Sequence, residues 1–401
     1  MNRLLQRALF GRKVFFCGAF GRTMLLCAVA CWLAYVPHSL AQPERLLLTM
    51  SKPNNPADLT DLAHFKQWQQ QARRHYRQAL LWQDFPPVQA TLLASQPHAA
   101  AGAAGPDTTA SSYRIEHYRL QLTSQTATQA YLLVPNHSRG GVLLLHDHGA
   151  EFSIGKEKWL RQAPFATSEQ QEKAQAWQQR YFQGHAIANE LAAQGYTVLV
   201  ADSIGFSSHH PLAYSDQQQL ASHLLASGHS LAGLAAAEDL QLATFLRQQI
   251  GEKKPLVSIG FSMGAFRAWQ VAALSTDVDA AAAVCWFGRW QDLTIAGGNL
   301  DKGQTAFYFL HPGLNQQFDL PDLLSLIAPR PLYLINGGQD RLFDVQSVQA
   351  GYRQLAPAWQ LFQASNALTT ELWSEATHEF NERQQHQVWQ WLAQVTSGQR
   401  L

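Results

Sequence analysis

The chain has 401 residues, 46% hydrophobic and 15% charged, with a formal net charge of +1. That length suits one large α/β domain or two small ones, and the composition excludes a disordered chain. The low charge fraction argues against a nucleic-acid binder, which needs concentrated cationic surface.

The N-terminus reads as a targeting leader over residues 1–41. Arg3, Arg7, Arg12, Lys13 and Arg22 precede an apolar run from Met24 to Val36, and Ser39-Leu40-Ala41 offers small residues for cleavage after Ala41. The alternative is a permanent anchor, but the run is short of the roughly 20 residues that a span needs. Lipidation at Cys31 is a lesser option, because Ala28-Val29-Ala30 lacks the leucine usual before a lipidated cysteine. The expectation is an exported protein, periplasmic or secreted, without stable membrane association. Cleavage removes five basic residues and no acidic one. The mature chain then has 30 − 5 = 25 basic against 29 acidic residues, a net charge of −4. Three of the four cysteines leave with the leader. Cys285 remains without an internal disulfide partner and reads as inert core filling.

Residues 42–110 read as an N-terminal extension. Its first part, to residue 100, is glutamine-rich and carries Phe65, Trp68, Tyr76 and Trp82, which suggests helices packed on a core. Ala99–Ala110 is an Ala/Gly-rich loop. Residues 111–401 alternate strands and helices. Tyr113–Leu122 and Gln129–Val134 suit an antiparallel edge. Gly141–Leu145 and Tyr196–Ala201 are buried strands, with the amphipathic helix Ala186–Gln194 between them. A long helix, Leu231–Ile250, precedes the strand Pro255–Ile259. After it come a helix from Ala265 to Leu274, an apolar run Val278–Trp286, a strand Pro331–Ile335 and a helix around Val345–Leu355. A last strand at Ala367–Trp373 and a closing helix Glu382–Val395 complete the pattern. Strands separated by helices predict an α/β fold, a mostly parallel central sheet with helices on both faces.

Gly260-Phe261-Ser262-Met263-Gly264 lies between a predicted strand and a predicted helix. A serine flanked this way at a strand-to-helix turn is a nucleophile elbow. The turn lifts the serine oxygen above the sheet and aims the Met263 amide at the place where an oxyanion would form. A serine hydroxyl needs a base, and the base needs a group to hold it. Asp340, just past the strand Pro331–Ile335, and His378, between the last strand and the closing helix, supply them in the order Ser, acid, His. Asp344 competes for the acid role but lies further from the strand end. The second oxyanion donor should come from His146-Asp147-His148-Gly149-Ala150, with the amide of Ala150 favoured and that of Asp147 as the alternative. His148 supports this loop. His209, His210 and His229 read as polar lining, since their spacing resembles no metal site.

Several stretches together resemble the dienelactone-hydrolase-like and acetyl-xylan-esterase-like branch of the α/β-hydrolase superfamily. They are Leu145-His146-Asp147-His148-Gly149, Gly155-Lys156-Glu157-Lys158, Ala201-Asp202 with Gly205, the elbow, Ile327-Ala328-Pro329-Arg330-Pro331, Asp340 and His378. The resemblance spans roughly residues 112–397. It implies a Ser262–His378–Asp340 triad with no metal and no organic cofactor. Dienelactone hydrolases use a cysteine nucleophile, and the serine here points to esterases.

The expected function is a serine carboxylic ester hydrolase acting on small-molecule or carbohydrate esters. A peptidase of the same fold and a non-catalytic binding protein are the alternatives. Trp159, Trp286, Trp290 and Trp373 are candidates to line the substrate site or, equally, to pack the core.

Overall fold

The computed structural model describes residues 61–98, 112–295, 298–300 and 304–397. These fall in one contact unit, Ser51–Leu401. The expected leader and the expected loop at Ala99–Ala110 lie outside the described residues. Among the described residues, no helix is long and apolar enough to cross a membrane.

Among the described residues, nine strands form a single sheet: β1 (Gln89–His98), β2 (Tyr113–Gln121), β3 (Ala127–Pro135), β4 (Gly140–Leu145), β5 (Tyr196–Ala201), β6 (Leu256–Phe261), β7 (Ala280–Val284), β8 (Leu332–Gly337) and β9 (Leu368–Trp373). Their order is β1-β2-β3-β5-β4-β6-β7-β8-β9. The pairs β1/β2, β2/β3 and β3/β5 are antiparallel, and every pair from β5/β4 to β8/β9 is parallel. Strands β4 to β8 are buried at every position. Their near-continuous apolar sequences follow from burial on both faces, which a parallel sheet imposes.

The helices of seven residues or more among the described residues are α1 (Leu62–Ala79), α2 (Ser168–Tyr181), α3 (Ile187–Ala193), α4 (Tyr214–Ala226), α5 (Leu231–Ile250), α6 (Met263–Leu274), α7 (Val345–Leu361) and α8 (Glu382–Thr396). Two apolar clusters mark the two covered faces of the sheet. One gathers α1, α5, α6 and α7, and the other α2, α3 and α8.

The N-terminal extension carries the expected helix and, after it, a strand that was not expected. Helix α1 is present, capped by Asp61, whose carboxylate accepts from the amide of Ala63. It buries Phe65, Gln69, Ala72 and Tyr76, one stripe at helical spacing. Arg73 and Arg77 donate to Ala273 O and Leu274 O, carbonyls that α6 leaves unpaired at its C-terminal end. Residues 89–98, however, form the edge strand β1 rather than a helix. Its side chains are mostly exposed, so it lacks the polar/apolar alternation of a half-buried strand. Main-chain pairing with β2 holds it, and Pro97 is tolerated because the strand is at an edge.

Candidate active site

Ser262 sits between the last residue of β6 and the first of α6, with φ 54° and ψ −124°. That region is unfavourable for a residue with a side chain. Neighbours fix it: Ser262 N donates to Val284 O at 2.8 Å, and Ala265 N donates to Ser262 O at 2.8 Å. The flanking glycines are steric necessities. A Cβ on Gly260 would lie 2.0 Å from Gly264 O, and one on Gly264 would lie 1.8 Å from Leu145 O.

Asp340 follows the end of β8. Its Oδ1 accepts from the amide of Leu342 at 2.9 Å, and its Oδ2 faces His378 Nδ1 at 2.7 Å. His378 lies past the end of β9, and its Nε2 is 2.9 Å from Ser262 Oγ. The loop carrying it passes so close to β8 that a Cβ on Gly337 would meet Thr377 O at 2.4 Å. Phe380 N donates to Tyr181 O, tying the loop to α2. The structure therefore brings the three sequence-chosen side chains into one hydrogen-bonded line. Asp344 does not join it; its carboxylate caps α7 through the amide of Ser347.

The hydroxyl opens into a cavity of about 370 Å3. His148, Gly149, Ala150, Met263 and His378 line it beside Ser262, and Tyr181, Tyr214, Trp286, Phe309 and Phe343 are among its walls. Among the described residues, none that lines it is Lys, Arg, Asp or Glu. Of the four candidate tryptophans, only Trp286 reaches this cavity. Trp159 is fully buried and stacks on Phe182 at 4.7 Å. Trp290 and Trp373 line other depressions.

The sequence-chosen oxyanion residues are placed differently from one another. Met263 opens α6, where the first amides have no partner within the helix. The amide of Ala150 donates to Nδ1 of His148 at 3.2 Å, within its own loop. His148 is buried, which pushes its pKa down to about 4, against the partly opposing hydrogen bond that its Nε2 donates to Gln217 Oε1.

His209, His210 and His229 do not line this cavity. His209 is buried with Nε2 2.8 Å from Glu238 Oε1. Burial works against its charge, but Glu238 outweighs that and its pKa is raised. His210 is exposed, and His229 donates to Leu81 O and packs on Trp82. Cys285 is a free, buried thiol pushed strongly up in pKa by burial. Its Sγ lies with ligand-type atoms of Asp340 and His378 within 4.8 Å of one another. Those atoms are engaged already: Asp340 with His378, and the protonated thiol with Glu379 O at 3.3 Å.

Sequence reasoning gave no role to a set of buried charges under the site. Lys156 Nζ bonds Glu157 Oε1 at 2.7 Å and Asp202 Oδ2 at 2.6 Å. Burial opposes its charge and the two carboxylates more than restore it, so its pKa is raised. Lys158 Nζ is 3.2 Å from Asp147 Oδ2, and Arg267 makes a two-point contact with Asp239. The signal was in Gly155-Lys156-Glu157-Lys158, three consecutive charges in a chain otherwise poor in them.

Residues 50–367 match the sequence profile of the Abhydrolase family, and the chain belongs to that family. Its strand order and the strand-end placement of Ser262, Asp340 and His378 are those of an α/β-hydrolase. The chain is 26% identical over 249 residues to "Putative hydrolase YtaP" of Bacillus subtilis (strain 168), covering 61% of this chain and 76% of that one. Among solved structures, a "putative acetyl xylan esterase" of Bacteroides fragilis NCTC 9343 superposes with a TM-score of 0.61 at 16% identity, over 82% of this chain and 80% of that one. A glucuronoyl esterase from Solibacter usitatus superposes with a TM-score of 0.56 at 14% identity, over 87% and 98%.

Proposed function

We propose that this chain is a serine hydrolase of uncharged carboxylic esters. The observation that carries the reading is the line Ser262 Oγ–His378 Nε2, 2.9 Å, and His378 Nδ1–Asp340 Oδ2, 2.7 Å, opening on one cavity. His378 takes the proton of Ser262 as the oxygen attacks the ester carbonyl. Asp340 holds the imidazole in the tautomer whose Nε2 is free to accept, and stabilises the imidazolium that forms. His378 then protonates the leaving alcohol. Water, activated by the same imidazole, releases the acid from the acyl-enzyme. The Met263 amide and a second amide from the loop at 148–150 hold the oxyanion.

The described walls support a neutral substrate, since among the described residues no Lys, Arg, Asp or Glu lines them. The volume is in the range of small-ligand sites, roughly 300–1,000 Å3. Acetylated or otherwise esterified carbohydrate is the substrate class we favour, because structures of like fold carry the names acetyl xylan esterase and glucuronoyl esterase. The basic and apolar leader sequence supports export, which N-terminal sequencing of the mature protein tests. Ser262→Ala tests the chemistry. It should abolish hydrolysis of p-nitrophenyl acetate and labelling by a fluorophosphonate while leaving the melting temperature near that of the parent. Retained turnover rejects the assignment.

A further inference from the structure

Two consecutive carbonyls beneath the cavity point at the same ammonium. Lys158 Nζ donates to Asp147 O at 3.0 Å and to His148 O at 3.3 Å, besides its ion pair with Asp147. Lys158 is fully buried, and its ammonium lies 4.2 Å from the centroid of Trp177. Trp177 Nε1 in turn donates to Asp147 Oδ1 at 3.1 Å. An ion pair alone would have left the loop's peptide planes free to turn. Bonds to two successive carbonyls fix them.

In a trans peptide the C=O and the following N–H point in opposite directions. The planes 147–148 and 148–149 direct their oxygens inward to Lys158, so the amides of His148 and Gly149 are turned the other way. Gly149 is exposed and lines the cavity with Ser262. The amide of Ala150 is engaged elsewhere, with His148 Nδ1. That nitrogen is an acceptor for a structural reason. Gln217 Nε2 donates to Leu212 O, which leaves Gln217 Oε1 to receive the proton of His148 Nε2 at 3.3 Å. Only glycine fits at 149, where φ is 53° and a Cβ would lie 2.1 Å from Trp177 Cη2.

We infer that Lys158 is a positioning residue, whose bond to His148 O turns the Gly149 amide into the cavity as the second oxyanion donor, in place of Ala150. The inference rests on the ester-hydrolase reading above. Lys158 touches no reacting atom; it acts through one peptide plane.

Lys158→Met removes the donors and keeps the length of the side chain. It should lower kcat for p-nitrophenyl acetate by about 100-fold with KM within about threefold, the pattern of an interaction made only in the transition state. A kcat within about threefold of the parent, or a loss carried by KM alone, overturns the inference. A second measurement needs no variant. In the parent protein labelled with 15N-glycine and 15N-alanine, a trifluoromethyl ketone adduct should shift the Gly149 amide proton downfield and leave that of Ala150 in place. The reverse pattern overturns the inference even if Lys158→Met fails to fold. Fluorophosphonate labelling separates the two readings. A parent that labels at Ser262 while the Gly149 amide stays unmoved defeats this inference alone. A parent that never labels defeats the ester-hydrolase reading as well.

Discussion

Lowering the pH from 7 to 5 should destabilise the protein through histidines that are buried uncharged. His148 and His311 are both nearly inaccessible. Burial pushes the first down to about 4 and the second to about 3. His146, also driven down chiefly by burial and then by Arg267, acts in the same direction. The folded pKa of each lies below the ordinary 6.5 of an unfolded chain. The unfolded state therefore binds more protons between pH 6.5 and 4, and stability is present above 6.5 and lost as pH falls. At pH 5 an unfolded histidine has gained about 2 kcal/mol from protonation that a folded one with pKa 4 or below forgoes, so His148 and His311 together cost about 4 kcal/mol. That is a large part of a typical stability of 5–15 kcal/mol. His209, raised by Glu238, has the opposite sign and offsets part of the loss. Urea unfolding at pH 7 and pH 5 measures the difference. His311→Gln, which keeps an acceptor for Gln270, should recover about 2 kcal/mol of the drop. A stability that is flat or rises from pH 7 to pH 5, or a His311→Gln protein with the parent's pH dependence, refutes the reasoning.

Gly264→Ala places a Cβ 1.8 Å from Leu145 O and should cost about 3 kcal/mol in urea unfolding, as overpacking does. Gly251→Ala meets nothing within 4 Å, but φ 79° and ψ 165° lie in a region all but reserved for glycine, so it should cost about 2 kcal/mol through the backbone alone. Asp340→Asn should lower kcat by about 10³ to 10⁴ because His378 loses the partner that sets its tautomer, whereas Asp344→Asn should leave kcat unchanged; esterase kinetics on the purified variants decide between them. Trp286→Leu removes a cavity wall and should shift hydrolysis from p-nitrophenyl acetate towards p-nitrophenyl esters of longer acids, as read from the ratio of kcat/KM values.

The parts legible in the sequence are those with a local physical signature. The elbow is legible because the close approach of β6, α6 and β4 demands glycine at 260 and 264. The buried strands are legible because a parallel sheet demands unbroken apolar runs. Elements held by pairing or caps were not legible. Strand β1 buries little, and its pairing partner starts fifteen residues after its end. Helix α2 buries only Ala174, Trp177 and Gln178, and its start is marked by a capping box between Thr167 and Gln170 rather than by an apolar stripe. The engagement of the Ala150 amide was also hidden, because it depends on the tautomer of His148, and that is set by Gln217 on α4, 69 positions away. A hydrogen-bond relay across elements leaves no periodicity to read.

The convergence of the three side chains is organised largely by the end of one strand. Val284, the last residue of β7, accepts the Ser262 amide through its carbonyl. The next residue, Cys285, donates its own amide to Ile335 O at 2.7 Å, fixing the strand that leads to Asp340. Its thiol donates to Glu379 O, the residue after His378. Cys285 has φ 60° and Ser262 has φ 54°, and each such non-glycine conformation costs on the order of 1–3 kcal/mol. Strain of this kind persists only where several bonds over-determine the backbone, and here the same few bonds hold both residues. Two adjacent residues thus touch the nucleophile's turn, the acid's strand and the base's loop. This explains why side chains 116 and 38 positions apart meet at hydrogen-bond distance without any one of them being held by a long rigid element of its own.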